Sequence, residues 1–401
     1  MINIFVYVQS TDGCSLHRLL NPYKEIEKIT DELKVEFKIP DEIKTKEDLY
    51  EYLSNFDAFI FHRIIPQDLF LGLRKYCSNL KLIVDIDDFW HLGSKHILEG
   101  IYKTFKIGDM IQNIVEQCDY VTTTTPILRD KIKPFNKNVV IFPNALNKEE
   151  NKPINNPSNR IRFGLIGGST HVSDMELLNG IANQLPNNIL DKIQFVCCGF
   201  DRGFYTYKDE HGNTQQKPMD WDDVGWTKIE KIFTDNYKTI STEHKNLLKQ
   251  YLYKQDYQPF DEPYRRIWAK DIWHYMDSFD EIDVLLVPLI DNEFNRNKSE
   301  LKMVEASVKE KPCIVSDVYP YKYCAINAIE KGGSINPEGN CLMVTENKKT
   351  KGWVKAIERL VNNPELLEQL RHNISKLTDE KYNLRKITEK RIEFLKDITG
   401  K

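Results

Sequence analysis

A chain of 401 residues is too long for one ordinary core and fits two α/β domains of similar size. With 41% hydrophobic and 29% charged residues the composition is globular, which excludes disorder of the whole chain. The formal net charge of -4 supplies no global basic field, so no nucleic-acid partner is expected.

Short apolar runs alternate with amphipathic stretches, the pattern of parallel-sheet α/β domains. The first strand is expected at Ile2–Gln9, which lacks the basic flank and small-residue cleavage site of a signal peptide. Further strands are expected at Ala58–His62, Leu80–Asp85, Tyr120–Thr124 and Val139–Phe142, with helices at Pro66–Cys77 and Ile107–Gln117 between them. Asn147–Asn159 is rich in Asn, Lys and Pro, has no apolar period and reads as a linker. A second series of strands runs Ile161–Ile166, Ile193–Cys198, Asp283–Pro288, Pro312–Ser316 and Cys341–Val344. Between Gly199 and about Pro263 the rhythm breaks, and Tyr205, Tyr207, Trp221, Trp226 and Tyr237 mark an insertion at about 200–263. Packing of these aromatics is preferred to their lining an acceptor site. Two or three helices close the chain from Trp353 to Ile398, with Asn362-Asn363-Pro364-Glu365 as a stop-and-restart signal. The last helix is free to pack back on the first domain.

No apolar run approaches the roughly 18 residues that a spanning helix needs. The eight cysteines, Cys14, Cys77, Cys118, Cys197, Cys198, Cys313, Cys324 and Cys341, include no Cys-x-x-Cys pair. Several sit in apolar runs, where Cys acts as a small hydrophobe, so a reducing cytoplasm is expected and a zinc site is not. The end of the chain is locally basic, with Arg371, Lys376, Lys381, Arg385, Lys386, Lys390, Arg391 and Lys396. Interleaved acids make this a solvated helix face; weak contact with anionic lipid, at the inner face of a membrane, stays open. The sequence leaves the oligomeric state open.

The most informative stretch is Phe294–Ala306, which comes after a strand ending at Leu289. Asn297 or Ser299 can cap a helix that begins here. Lys298, Lys302 and Glu305 fall at i, i+4 and i+7 and form one stripe, while Leu301, Val304 and Val308 form an apolar one. Lysines at a helix N-terminus, beside free backbone N–H groups, suit a diphosphate. Glu305, deeper along the helix, can accept from both hydroxyls of a ribose. The bland alternative is a surface helix with Lys–Glu pairs, yet cations at an N-terminus oppose the dipole, so stability does not explain them.

At these residues the chain resembles the retaining, two-Rossmann-domain (GT-B) glycosyltransferases, in particular the large family with a Glu-x7-Glu signature. The likeness continues through Ala306–Ser316, Gly339–Val344 and the helix start at Asn363-Pro364-Glu365. It implies an α/β fold of two Rossmann-like domains facing across a cleft, residues 1–157 on the acceptor side and 158–401 binding the nucleotide sugar. It also implies transfer from a nucleotide-diphosphate sugar to a glycan or lipid-linked acceptor, with no further cofactor. Carried over, Glu305 matches the second Glu, which binds the donor ribose. Asn297 stands where the first Glu, the contact to the sugar ring, would be. Lys298, Ser299, Leu301 and Lys302 resemble a Lys-Ser-x-Leu-Lys variant of this loop that implies phosphate contacts.

Gly167, Gly168, Ser169 and His171 form a strand-to-glycine turn that lets backbone approach a phosphate. It resembles the family's first loop of the second domain, and His171 is either a phosphate donor or a plain loop histidine. In the first domain Asp12 and Gly13 stand where the family has a Gly-containing loop beside the reacting sugar; a turn without ligand is the alternative. His62 and Arg63 end a strand at the carboxyl edge of the sheet, where an acceptor or phosphate would lie. Asp87 and Asp88, in Asp85-Ile86-Asp87-Asp88, allow three readings: polarising an acceptor hydroxyl, capping the next helix, or holding a divalent ion. The two-domain pattern weighs against the metal. Rival functions are a nucleotide-sugar 2-epimerase and a non-catalytic binding protein. A nicotinamide dehydrogenase is disfavoured because no Gly-x-Gly-x-x-Gly comes after either first strand.

Overall fold

The computed structural model describes residues 1–93, 96–235, 239–250, 262–345 and 350–401. Two compact units result. The first comprises Met1–Glu150, Asn292–Val304 and Leu377–Lys401, and the second Asn151–Asp291 and Glu305–Lys376.

In the first unit β1 (Ile2–Tyr7), β2 (Leu33–Glu36), β3 (Ala58–His62), β4 (Lys81–Ile86), β5 (Tyr120–Thr123) and β6 (Val139–Ile141) form one parallel sheet. Its order is β2-β1-β3-β4-β5-β6. Alternate side chains fill two cores: Phe5, Phe59, Phe61, Leu82 and Val84 on one face, Ile4, Val6, Ile60 and Ile83 on the other. That period of two, buried on both sides, is why the strands read as continuous apolar runs. Helix Leu384–Thr399 completes the second of these cores with Ile392, Leu395 and Ile398. Its Lys386 and Lys390 are exposed, but Arg391 is not on the solvated face. It is buried, donating to the Tyr23 hydroxyl at 3.3 Å and lying over the Phe142 ring.

In the second unit β7 (Ile161–Ile166), β8 (Ile193–Phe200), β11 (Tyr264–Trp268), β12 (Val284–Val287), β13 (Cys313–Ser316) and β14 (Cys341–Val344) form the second parallel sheet. The order β11-β8-β7-β12-β13-β14 is, within the unit, the 3-2-1-4-5-6 order of dinucleotide-binding domains. Between β8 and β11 a hairpin of β9 (Phe204–Lys208) and β10 (Thr214–Pro218) stands apart as its own sheet. The expected insertion is therefore only partly one. Helix Gly225–Thr234 sends Trp226, Ile229 and Phe233 into the main core, Trp221 packs against it, and β11 completes the sheet. Tyr205 bonds Asp223, Tyr207 is exposed, and Tyr237 lies outside the described residues.

Strand β11 escapes a hydropathy reading because it carries Arg265 and Arg266, both buried. Arg265 pairs with Glu281 at 2.8 Å, and Arg266 clasps Glu230 at 2.8 and 2.6 Å beneath the Phe200 ring. The linker is held by side chains of the second unit: Asp280 accepts from the Ile154 amide, and Lys311 Nζ donates to Asn155 Oδ1. Among the described residues no helix is long and apolar enough to cross a membrane.

Burial pushes the Lys311 ammonium down to about 8. The unfolded chain then holds this proton more tightly than the folded one, so the charge costs stability below that value. Stability should rise as pH goes from about 8 towards 10, and Lys311→Met should abolish that rise. The variant should also gain about 1–3 kcal/mol at neutral pH in urea unfolding, if packing is kept.

Candidate functional site

In a parallel sheet, ligands lie outside the carboxyl ends of the strands, where the order reverses. In the first unit the reversal falls between β1 and β3. The loop after β1, residues 8–12, ends at Asp12, whose carboxylate accepts from Ser10 Oγ at 2.6 Å and from the Ser15 amide at 2.8 Å. Asp12 thus caps the turn Gly13–Ser15. Burial raises its carboxyl, but the Ser10 and Ser15 bonds outweigh that and lower it. A Cβ built on Gly13 would meet no atom within 4 Å, so packing does not require a glycine there.

Beside this loop, β3 ends at His62, and Arg63 comes next. Arg63 has φ 56°, a left-handed conformation that costs a bulky residue energy, and its amide bonds the Asp85 carbonyl at 3.0 Å. That backbone aims the guanidinium at Asp87 Oδ1, from Nε at 2.9 Å and Nη2 at 2.7 Å. His62 Nε2 meets the same oxygen at 2.8 Å. Burial works against the Asp87 charge, yet Arg63, then His62, hold its carboxyl well below the usual carboxylate range. The Cys14 thiol beside it is pushed well up, chiefly by the Asp87 charge. A carboxylate so held is a poor base; what it does is orient His62 and Arg63. Asp88 is more open and meets Arg63 Nη2 and Lys298 Nζ, each at 3.3 Å. The capping reading fails for both acids, since the next helix is Glu99–Thr104, capped from Leu98. The positive groups offsetting them are Arg63 and Lys298, while His62 is hydrogen-bonded to Asp87.

The segment Asn292–Val304 belongs to this unit and differs in detail from its expected form. A short helix, Glu293–Arg296, comes first, and Asn297 is its C-cap, with Nδ2 donating to the Glu293 carbonyl at 2.7 Å. The main helix starts only at Leu301 and runs to Val308. Neither Asn297 nor Lys298 lies on it, so Lys298 drops out of the expected stripe with Lys302 and Glu305. Lys298 instead sits 4.5 Å from the centre of the Phe294 ring, and Phe294 is anchored in the core. Ser299 Oγ accepts from Asn144 Nδ2 at 2.8 Å. Leu301 and Lys302 are half-buried; the apolar side of the helix is broader than a stripe, with Met303, Val304, Ala306 and Val308 all buried.

In the second unit the order reverses between β7 and β12, which brings the loops after those strands together. The turn after β7 holds Gly167, Gly168, Ser169 and His171. No atom lies within 4 Å of a Cβ built on Gly167, and its φ is not left-handed, so neither strain nor crowding explains this glycine. His171 Nδ1 meets Asp174 Oδ2 at 2.9 Å, while Asp174 Oδ1 accepts from the Ile290 amide after β12 at 3.0 Å. His171 is therefore an oriented side chain. Glu305 is 1% exposed, which rules out a solvated Lys–Glu face. Tyr275 donates its hydroxyl to Glu305 Oε1. Burial, then the Glu305 charge, push the Tyr275 phenol well up, so it stays a donor.

Sequence reasoning missed Arg18, Asn144, Asp174 and Tyr275. Only Asp174, three residues after His171, left a spacing signal; the other three meet their partners through long-range folding.

No family model matches the chain, and no curated protein matches it in sequence. Solved structures do match it along its length. Anabaena HepE in complex with UDP-glucose is 10% identical, with TM-score 0.59, covering 99% of this chain and 100% of that one. An α,α-trehalose-phosphate synthase (UDP-forming) from Burkholderia vietnamiensis is 9% identical, with TM-score 0.57 and coverage of 99% and 98%. A putative UDP-N-acetylglucosamine 2-epimerase from Listeria monocytogenes is 8% identical, with TM-score 0.54 and coverage of 99% and 96%. Likeness at this identity is likeness of fold. The chain has the two-domain α/β fold of these proteins.

Replacing Arg63 by Ala leaves Asp87 buried without its main cation. Removing one partner of a buried pair costs about 3–5 kcal/mol. Urea unfolding should show a loss of that order. The Asp87 contribution is present above the unfolded carboxylate value and lost as pH falls through the folded one, so Arg63→Ala should also unfold at a higher pH on acidification.

Proposed function

We propose that this protein is a glycosyltransferase that moves a hexose-type residue from a nucleoside-diphosphate sugar to a glycan or lipid-linked acceptor, with retention at the anomeric carbon. The observation that carries the nucleotide half is Glu305. It is a buried carboxylate on an apolar helix, held by a tyrosine hydroxyl, and in sequence it matches the residue with which the resembling family binds ribose. In this reading Glu305 takes the ribose hydroxyls, and Lys298, Ser299 and Lys302 take the diphosphate. Gly167, Gly168, Ser169 and His171 offer backbone and an oriented imidazole to phosphate oxygens. Asn297 contributes by ending the short helix that presents Lys298. Asp12, Gly13, His62, Arg63 and Asp88 face the acceptor or transferred sugar, with Asp87 setting the geometry of His62 and Arg63. The protein's work is then positioning and stabilising the leaving diphosphate. It needs no cofactor beyond the donor and acts in the cytoplasm, with any membrane contact weak.

The His62–Asp87 pair favours a second reading of the stereochemistry. With Nε2 bonded to Asp87, the other imidazole nitrogen can take a proton from an acceptor hydroxyl, the act of a general base in direct inversion. The anomeric configuration of the product, read by NMR, separates the two. Because an epimerase shares the fold, the donor must also be incubated alone: conversion without acceptor would favour the epimerase, and binding without any turnover a non-catalytic protein.

A thermal-shift screen against nucleoside diphosphates and their sugars tests the donor assignment. A ligand at 100 times its Kd adds about 2.7 kcal/mol to apparent stability. Glu305→Ala and Lys298→Ala should each abolish the shift, and Gly167→Ala should weaken affinity roughly tenfold, about halving the shift, while leaving the unliganded Tm nearly unchanged. An unaltered shift in the first two variants would sink the assignment.

A further inference from the structure

The geometry points to Asn144 as a positioning residue that fixes the direction of the Ser299 hydroxyl, so that Ser299 donates its proton to the diphosphate of the bound nucleotide. This rests on the nucleotide reading of the Lys298–Lys302 segment and adds to it a residue outside that segment.

Hydrogen-bond polarity sets the direction, starting from a group that can only accept. Asp85, on β4, is that group, a carboxylate. Arg18 meets it through two parallel bonds, Nε to Oδ1 and Nη2 to Oδ2, both at 2.8 Å. Thr122 Oγ1 donates to the same carboxylate at 2.6 Å. Arg18 is carried on a π-helical turn, Leu16–Leu20, a rare local geometry that recurs at functional sites. Its remaining Nη1 donates to the Phe142 carbonyl at 2.7 Å and to Asn144 Oδ1 at 3.1 Å. A guanidinium has no acceptor, so Asn144 must turn its oxygen towards Arg18 whatever else it touches. Its amide nitrogen is thereby committed to the other side, where Ser299 Oγ lies at 2.8 Å. Ser299 must accept there, and its own proton is left to point elsewhere. Arg18 and Asp85 are each 1% exposed and Asn144 4%, so solvent does not scramble this order. Ser299 is half-buried, at the open end of the series. The direction set at Asp85 therefore emerges as a hydroxyl donor beside Lys298, which is what a phosphate oxygen requires.

Asn144→Asp tests the direction without emptying the site. Aspartate keeps the bond to Arg18 but has no N–H, so Ser299 would donate to it and lose its outward proton. The probes are UDP, GDP, ADP and dTDP, titrated calorimetrically in parallel, using whichever the wild-type protein binds. Asn144→Asp should raise Kd roughly tenfold to a hundredfold in a folded variant, whose added buried carboxylate lowers Tm. Donor KM should rise while acceptor KM stays put. Asn144→Ala and Ser299→Ala close a double-mutant cycle, and serve alone if the Asp variant does not fold. Action through Ser299 requires that Asn144→Ala add nothing in the Ser299→Ala background. Additive effects, or wild-type affinity in Asn144→Asp, overturn the inference while leaving the nucleotide reading intact. Unchanged affinity in Ser299→Ala removes Ser299 from the diphosphate and takes the inference with it.

Discussion

A parallel sheet covered on both faces has no solvated side, so every charge that the chain needs near its strands must be paired where it is buried. That single constraint explains much of what surrounds the two cores. Arg18 with Asp85, Arg162 with Asp283, Arg266 with Glu230 and Lys309 with Asp280 are all such pairs, the first three with a member on a strand. Taking two ions out of water is costly, and good geometry only repays the cost, so these pairs stabilise less than they specify. At the carboxyl edges the same rule holds for residues of the candidate site. Asp87 is held charged by Arg63 and His62, and Glu305 is held by Tyr275.

How much of the fold is legible from residues depends on how each strand is buried. Ala58–His62, Ile161–Ile166 and Cys341–Val344 are apolar runs in the middle of sheets or packed beneath helices, and their bounds can be read directly. Leu33–Glu36 is a four-residue edge strand alternating with Lys and Glu, too short to stand out. Tyr264–Trp268 hides behind two arginines whose partners lie 16 and 36 residues away. Periodicity cannot register a charge neutralised by folding.

The candidate site divides along the same line. Residues within one loop, such as Gly167–His171 or Asp87–Asp88, are visible because their chemistry and spacing coincide. The helix at Leu301 is visible too, but its start is not. Asn297 has the residue type of an N-cap for the helix at Leu301, yet it closes the four-residue helix Glu293–Arg296 before it. Arg18 and Asn144, 126 positions apart, carry no local mark at all. Their roles arise from which atoms can donate and which can only accept.

The helix that closes the chain places Ile392, Leu395 and Ile398 in the same core as Ile4 and Val6 of the opening strand. During synthesis the first strands leave the ribosome long before that helix exists. The second unit, drawn from Asn151–Asp291 and Glu305–Lys376, has all its parts earlier. The first unit cannot complete this core until that helix is made, and until then one face of its sheet lacks part of its cover.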